Sequence, residues 1–203
     1  ISSYMASVRF MDQQVGRLLD AIDRLELREE TIVIFLSDHG YNLGEHDCWS
    51  KISLWEGSIR APLIISVPGN KESHGTACPA IVEHIDLYPT LTELCGLSEK
   101  QPGILQGESL ARYLRGEDPG DRNNYAYTVS YNGKAASLRT DRWRYTRWGE
   151  DANIKNEELY DHQNDPEEYV NLVGDPEKNK ILEKLRKKFE QARSKARTGL
   201  KSN

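Results

Sequence analysis

Seven ionisable side chains crowd into the turn-rich segment "LSDHGYNLGEHDCWSK" (36–51), directly after a run of hydrocarbon side chains. They are Asp38, His39, Glu45, His46, Asp47, Cys48 and Lys51. A carboxylate beside an imidazole at the end of a strand can ligate a divalent cation or act as an acid–base pair. If the loop returns to the same crevice, Lys51 offers a positive charge to an anionic substrate. A turn with no chemical role is the alternative for Asp-His-Gly.

The elements around this segment decide where its side chains lie. "TIVIFLS" (31–37) and "APLIISVPG" (61–69) are short apolar runs bounded by charge, glycine or proline, which is typical of buried strands. Apolar residues at three- and four-residue steps predict a helix over 3–27, and "VEHIDLYPTLTELCGL" (82–97) predicts another. Such alternation is typical of an α/β layer with a parallel sheet, which binds ligands at the carboxyl ends of its strands. Asp38 and His39 occupy that position.

The pattern changes after about residue 100. Aromatic and β-branched residues over 124–148, interrupted by Asn132-Gly133 and Thr140-Asp141, predict antiparallel hairpins. "ELYDHQNDPEEYVNL" (158–172) predicts a strand that ends in a turn, and 176–197 predicts a basic amphipathic helix. We therefore divide the chain into an α/β part, 1–115, and an antiparallel part with a terminal helix, 116–203.

Composition excludes several classes of protein. The net charge of −5 and the pI of about 5.6 argue against a nucleic-acid partner. No apolar run approaches the roughly 18 residues of a membrane span. Cys48, Cys78 and Cys95 lack metal-clip spacing; a Cys78–Cys95 disulfide and free thiols both stay open. Because the chain begins at Ile1, without a signal-peptide pattern, we expect a fragment or a processed product.

Three segments, in family order, resemble the C-terminal portion of the type I sulfatases of the alkaline-phosphatase superfamily. They are "YMASVRFMDQQVGRLLDAIDRL" (4–25), "TIVIFLSDHGYNLGEHDCWSKISLWEGSIRAPLIISVPG" (31–69) and "ELYDHQNDPEEYVNL" (158–172). The likeness is greatest to the iduronate-2-sulfatase and choline-sulfatase branch. The resemblance implies an α/β fold with part of an alkaline-phosphatase-like mixed sheet flanked by helices. A small C-terminal subdomain with an antiparallel sheet and a packed helix is implied to follow.

The same resemblance implies a chemistry. In the family, a formylglycine made from Cys or Ser is hydrated to a geminal diol that attacks sulfur, and a divalent metal, usually calcium, polarises the reactants. Matched by motif, Asp38 and His39 are implied metal ligands, and Lys51 is implied to bind the sulfate oxygens as the catalytic cation. His46 is the second substrate-binding candidate, although an exposed loop residue without a role is the alternative.

The formylglycine motif, Cys/Ser-x-Pro-x-Arg, is absent from these 203 residues, as are the family's paired N-terminal metal-binding aspartates. We therefore expect this chain to supply two metal ligands, to need the N-terminal half of the enzyme, and alone to bind metal weakly without hydrolysing sulfate esters. The expected substrate is a sulfated small molecule or glycan. Two alternatives remain: a phosphonate or phosphodiester hydrolase of the same superfamily, or a non-catalytic fragment acting as a subunit or interaction module. An unpaired sheet edge would also favour homo-oligomers.

Overall fold

A computed structural model describes residues 1–70, 73–117, 124–149 and 155–198. The helices there are α1 (Ser2–Arg24), α2 (Glu56–Ile59), α3 (Leu87–Leu94), α4 (Ala111–Leu114) and α5 (Asn179–Thr198). The strands are β1 (Val33–Leu36), β2 (Asn42–Leu43), β3 (Trp49–Ser50), β4 (Leu63–Ser66), β5 (Tyr125–Ser130), β6 (Ala135–Thr140), β7 (Trp143–Trp148) and β8 (Glu157–Asp161). No helix among these residues combines the length and the apolar character needed to cross a membrane.

The two strands predicted from apolar runs pair with each other. β1 and β4 align with Val33 opposite Ser66 and Leu36 opposite Leu63, and they run antiparallel. The prediction of parallel pairing was wrong for these strands. Parallel neighbours need a crossover of a dozen or more residues that usually contains a long helix. Here the connection contains only the short β2–β3 ribbon and the four-residue helix α2, so the chain folds back beside β1.

The predicted N-terminal helix is present as α1, but it buries no residue. Met5, Phe10 and Leu18 are each about 60% exposed or more. Leu36 and Ile64, on the β1–β4 pair, are also exposed. Amphipathic helices normally place their apolar stripe against another element. The N-terminal part of this chain therefore presents apolar surface that the described residues leave uncovered.

The main hydrophobic core lies in the C-terminal part. β5, β6, β7 and β8 form a four-stranded antiparallel sheet in sequence order, as the hairpin pattern predicts. α5 packs across one face, where the ring of Phe189 meets that of Tyr145 edge-on at 5.2 Å. The buried core residues are Ala136, Leu138, Tyr145, Leu159, Val173, Leu182, Leu185, Phe189 and Ala192.

The opposite face of this sheet is polar. Because side chains alternate along a strand, Ser137, Arg139 and Arg144 point away from α5, on the side of the pairs Ser137–Thr146 and Arg139–Arg144. This face meets the segment around α2: the Trp55 indole donates to the Tyr160 hydroxyl at 3.3 Å. The sheet thus connects the apolar core to the loop that carries the candidate chemistry.

These features confirm the predicted fold class, an α/β part followed by an antiparallel subdomain with a packed helix. The boundary at 115/116 stays a prediction. Cys48, Cys78 and Cys95 are free thiols, so the structure contains no Cys78–Cys95 disulfide.

Candidate active site

Asp38 and His39 lie together at the end of β1, as the sequence predicts. An Asp38 carboxylate oxygen, Oδ1, is 3.5 Å from His39 Nε2. On the other side of the ring, His39 Nδ1 is 2.6 Å from the carbonyl oxygen of Gly40. A carbonyl only accepts, so Nδ1 carries the proton and Nε2 keeps its lone pair in the neutral ring. The side chains of Asp38 and His39 are 82% and 31% exposed, so both are accessible to solvent.

Gly40 holds this pair against α2. Its backbone N–H donates to the Ser58 carbonyl at 2.7 Å. A Cβ at Gly40 would lie 2.1 Å from the Gly57 carbonyl oxygen and 2.9 Å from that of Arg60. Both contacts are with backbone, which cannot rotate away. Only glycine permits this close approach, so the loop after β1 is fixed by the position of α2.

A buried hydrogen-bond triad fixes the next turn. Asn42 is 1% exposed, and its amide nitrogen donates to Ser58 Oγ at 2.7 Å and to Ser53 Oγ at 3.3 Å. The two serine hydroxyls are themselves 2.6 Å apart. Side-chain networks of this kind rigidify the segments that they join. The triad ties β2 to the residues on both sides of Trp55, so the loop and α2 form one unit.

The β2–β3 ribbon brings Lys51 back toward the Asp38–His39 end of the loop. The ladder ends at the pair Asn42–Ser50, and Ser50 has a positive φ of 84°, so Lys51 lies one residue beyond the end of the ribbon. Its side chain is exposed. The described residues show no ion pair of its ammonium group and no contact between it and Asp38 or His39.

His46 is directed elsewhere, toward the C-terminal subdomain. Its ring stacks between Trp55, at 4.3 Å between centroids, and Tyr169, at 4.9 Å. Its Nε2 lies 2.8 Å from the Glu167 carbonyl oxygen, so that nitrogen is the donor. His46 has a positive φ of 55°, a strained conformation for a non-glycine residue that persists where surrounding contacts hold it. His46 therefore joins two parts of the chain, 121 residues apart in sequence.

An ionic cluster, which we call the clamp, fastens α2 to the sheet. Arg144, 1% exposed, pairs with both Glu56 of α2 and Glu168. The second oxygen of Glu168 accepts the Glu56 backbone N–H at 2.7 Å, and His162 Nε2 is 2.7 Å from the first. Burial raises the pKa of Glu168, but His162, Arg144 and the Glu56 backbone N–H together lower it by more, so the carboxyl stays ionised.

Glu56, His162 and Glu168 also place three potential metal-ligand atoms within 4.8 Å of one another. Arg144 already contacts both carboxylates, so its charge supplies the compensation that a cation would bring. We therefore assign the three residues to the clamp. This cluster was not predicted from the sequence. Two sequence features could have indicated it. Arginines alternate with aromatic residues along the predicted strand in "RWRYTRW" (142–148), and two adjacent glutamates follow a turn in "DPEE" (165–168).

Comparison with known proteins assigns this arrangement to a family. Residues 44–195 match the family model for the C-terminal region of N-sulphoglucosamine sulphohydrolase. The chain is 36% identical to a sulfatase of Formosa agariphila over 84% of its length, covering 32% of that protein. It is 33% identical to a choline-sulfatase of Rhizobium meliloti over 86% of its length, covering 33%. The chain thus spans about a third of the curated relatives that it matches.

Solved structures agree with the sequence comparisons. One, in complex with its substrate D-glucosamine-2-N,6-O-disulfate, superposes with a TM-score of 0.80 at 29% identity, over 91% of this chain and 38% of that one. A phosphonate monoester hydrolase of Agrobacterium radiobacter superposes with a TM-score of 0.77 at 25% identity, over 90% of this chain and 39% of that one. Both share the fold of this chain over the matched region.

Proposed function

This chain belongs to the type I sulfatases and corresponds to their C-terminal portion, and from that premise we propose a role in sulfate-ester hydrolysis. In this proposal it is part of a metal-dependent enzyme that acts on a sulfated sugar or small molecule. Asp38 and His39 ligate the metal, and Lys51 binds the sulfate oxygens. His46, which stacks between Trp55 and Tyr169, is the second substrate-binding residue of the proposal.

The observation that carries the proposal is the geometry of Asp38 and His39. The two donor atoms are 3.5 Å apart, and the hydrogen bond from His39 Nδ1 to Gly40 leaves the lone pair of Nε2 available. A carboxylate and a neutral imidazole suit a divalent cation. Calcium prefers roughly six to eight oxygen ligands, so this pair fits such an ion only as part of a larger set.

The residues of the chain have distinct tasks in this proposal. When bound, the cation supplies charge that polarises the sulfate group. Asp38 and His39 hold it in place, and Gly40 sets their position through α2. The Lys51 ammonium neutralises negative charge on the ester oxygens, which is most valuable where that charge grows in the transition state. The remaining ligands and the formylglycine nucleophile come from the N-terminal half of the enzyme.

The exposed apolar surface supports a partner segment of this kind. α1 and the β1–β4 pair carry exposed Met5, Phe10, Leu18, Leu36 and Ile64. Large exposed apolar surface usually marks a contact site. Curated relatives extend well beyond the region matched here, and we propose that their additional residues have a counterpart that covers this surface.

Calcium titration of this chain tests the metal ligands. We expect weak binding, with a dissociation constant on the order of 10⁻⁴ to 10⁻³ M because most ligands are missing. Asp38→Asn should abolish the calorimetric signal. Asp47→Asn, an exposed carboxylate of the same loop, is the matched control and should leave binding unchanged. Equal binding by the Asp38→Asn variant would refute the assignment.

An activity assay tests the remaining roles. The isolated chain should show background turnover of an aryl sulfate, because it contains no formylglycine motif. In the enzyme completed by its N-terminal half, Lys51→Met should lower kcat/KM by about 10² to 10³, the usual cost of one transition-state charge contact. Turnover by the isolated chain, or full activity of the Lys51→Met enzyme, contradicts the corresponding role.

A phosphonate or phosphodiester hydrolase is the second candidate. It is favoured by the similarity to the phosphonate monoester hydrolase structure, which is nearly as close in fold as the sulfatase structure. Measurements of kcat/KM on matched aryl sulfate and aryl phosphonate esters distinguish the two candidates. The ester with the higher kcat/KM shows whether the enzyme cleaves a sulfate or a phosphonate ester bond. A completed protein that turns over neither ester supports a non-catalytic interaction module instead.

A further inference from the structure

A polar cleft of about 720 Å³ lies between α2 and the C-terminal subdomain. Its walls come from the loop before α2, from the turn between β6 and β7, and from the segment after β8. Asp38, His39 and Lys51 do not line it. The cleft is therefore separate from the residues that we assign to metal and sulfate. Its volume suits a small organic ligand.

Two side-chain atoms of the cleft residues lack hydrogen-bond partners within the described parts of the chain. They are the acceptor Asn42 Oδ1 and the donor Arg139 Nη1, and both are buried. Unpaired buried polar atoms are rare in folded proteins and need an explanation. A ligand hydroxyl can both donate and accept, so a polyhydroxylated molecule offers partners to an acceptor and to a donor of this kind.

Three guanidinium groups line the same cleft. Arg60 is 79% exposed, and the nearest carboxylate oxygen, Glu56 Oε1, is 3.6 Å away. Arg142 bonds Asp161 through Nε and Nη2, at 2.7 and 2.6 Å, and keeps 45% of its side chain exposed. Arg139 contributes from the polar face of the sheet. Guanidinium groups bind sulfate and carboxylate oxygens in planar, paired geometry, so the cleft offers anion-binding donors.

Four carboxylates also line the cleft, those of Glu45, Glu56, Asp141 and Glu167, but several of their oxygens are already bonded. Glu45 Oε2 accepts the Leu43 N–H at 2.5 Å, and Asp141 accepts from Asn124. Glu56 belongs to the clamp. Carboxylates beside guanidinium groups suit the hydroxyls of a sugar, which need acceptors as well as donors. This mixture favours a sugar with one acidic group over a simple anion. It also disfavours a quaternary ammonium compound, for which an aromatic cage is the usual site.

We propose that the cleft binds one acidic monosaccharide unit, with Arg60 and Arg139 holding its anionic group and Asn42 a hydroxyl. This inference rests on the proposed function, because it places part of a sulfated saccharide substrate beside the metal loop. The unit in the cleft is a recognition unit; the ester that is cleaved lies at Asp38, His39 and Lys51. The cleft residues therefore determine the affinity for the saccharide and take no part in cleaving the ester.

Calorimetric titration of this chain with glucose 6-sulfate, glucose and inorganic sulfate, without added metal, tests the proposal. Glucose 6-sulfate should bind at least tenfold more tightly than either control, since only it carries both hydroxyls and an anionic group. Arg60→Gln and Arg139→Lys should each raise its dissociation constant at least fivefold. Arg60 is largely exposed, so its variant folds even if the Arg139 variant does not.

Two further variants complete the test. Arg115→Gln removes a surface arginine outside the cleft and should change the dissociation constant less than twofold. Asp38→Asn should leave saccharide binding intact while abolishing calcium binding. Equal affinity for sulfate and glucose 6-sulfate, or an unchanged Arg60→Gln titration, overturns the cleft assignment. Loss of saccharide binding in Asp38→Asn alone also overturns it, while leaving the proposed metal ligands standing.

Discussion

Replacing Arg144 with methionine should show how strongly the clamp holds the candidate loop to the C-terminal sheet. Arg144 is 1% exposed and contacts Glu168, which is also 1% exposed, and Glu56, whose side chain is 18% exposed. Methionine fills much of the same space without the charge. The substitution therefore leaves one fully buried and one largely buried carboxylate without their main cation.

The size of the effect follows from what each carboxylate keeps. Breaking a buried ion pair by removing one partner costs about 3–5 kcal/mol. Glu168 retains His162 at 2.7 Å, and Glu56 retains Arg139 at 3.4 Å. These contacts place the expected loss in the free energy of unfolding at the lower end, about 3 kcal/mol. For a chain of this size that corresponds to a fall in Tm of roughly 6 to 12 °C.

Urea denaturation of the wild-type chain and the variant at pH 7 and at pH 4 measures the loss. The folded-state pKa of Glu168 lies below its ordinary value of 4.5, so its contribution to stability is present above that value. It is lost as the pH falls through the folded-state pKa. The difference between the two proteins should therefore be largest at pH 7 and smaller at pH 4.

Two further variants isolate the contribution of the clamp. Arg144→Met/Glu168→Gln should be at least about 1 kcal/mol more stable than Arg144→Met, because no buried carboxylate is then left at position 168. Arg115→Met removes exposed ion pairs and should cost less than about 1 kcal/mol. A loss below about 1 kcal/mol in Arg144→Met, or a loss that does not depend on pH, would show that the clamp contributes little.

Three further outcomes follow from single positions. Gly40→Ala should lower Tm and abolish calcium binding, because its Cβ would meet two backbone carbonyls, whereas Gly103→Ala, with nothing within 4 Å, should do neither. Asp161→Asn should cost about 2 kcal/mol at pH 7, since Arg142 holds the pKa of Asp161 at about 2 against an ordinary 3.8. That depressed pKa contributes its full stabilisation above pH 4, so the cost measured by urea denaturation should shrink as the pH falls from 4 through about 2. Gly16→Ala, within α1 and facing open space, should raise Tm through a gain of about 1 kcal/mol; an unchanged or lower Tm would contradict that.

Local patterns in the sequence were sufficient for most helices and strands and for the placement of Asp38 and His39 after a strand. The periodicity of apolar residues predicted α1, and alternation predicted the hairpins of the C-terminal sheet, because both patterns reflect geometry within a single element. The position of Asp38 and His39 directly after a strand was readable for the same reason. Neighbours in the chain at the end of a rigid element remain neighbours in space.

Contacts between distant segments were decided only by the tertiary structure. β1 and β4 pair antiparallel because the chain between them, which includes α2, folds back beside β1. Neither apolar run by itself shows in which direction its strand will run. Arg144 meets Glu56 across 88 residues, and His46 meets Glu167 across 121. A charged residue that becomes buried cannot be distinguished in the sequence from an exposed one. Its desolvation cost and its ion-pair partner are set only when other segments pack around it. The sequence thus determined that a carboxylate and an imidazole follow β1, while the packed fold determined the ion pairs, the strand pairing and the separate cleft at the C-terminal subdomain.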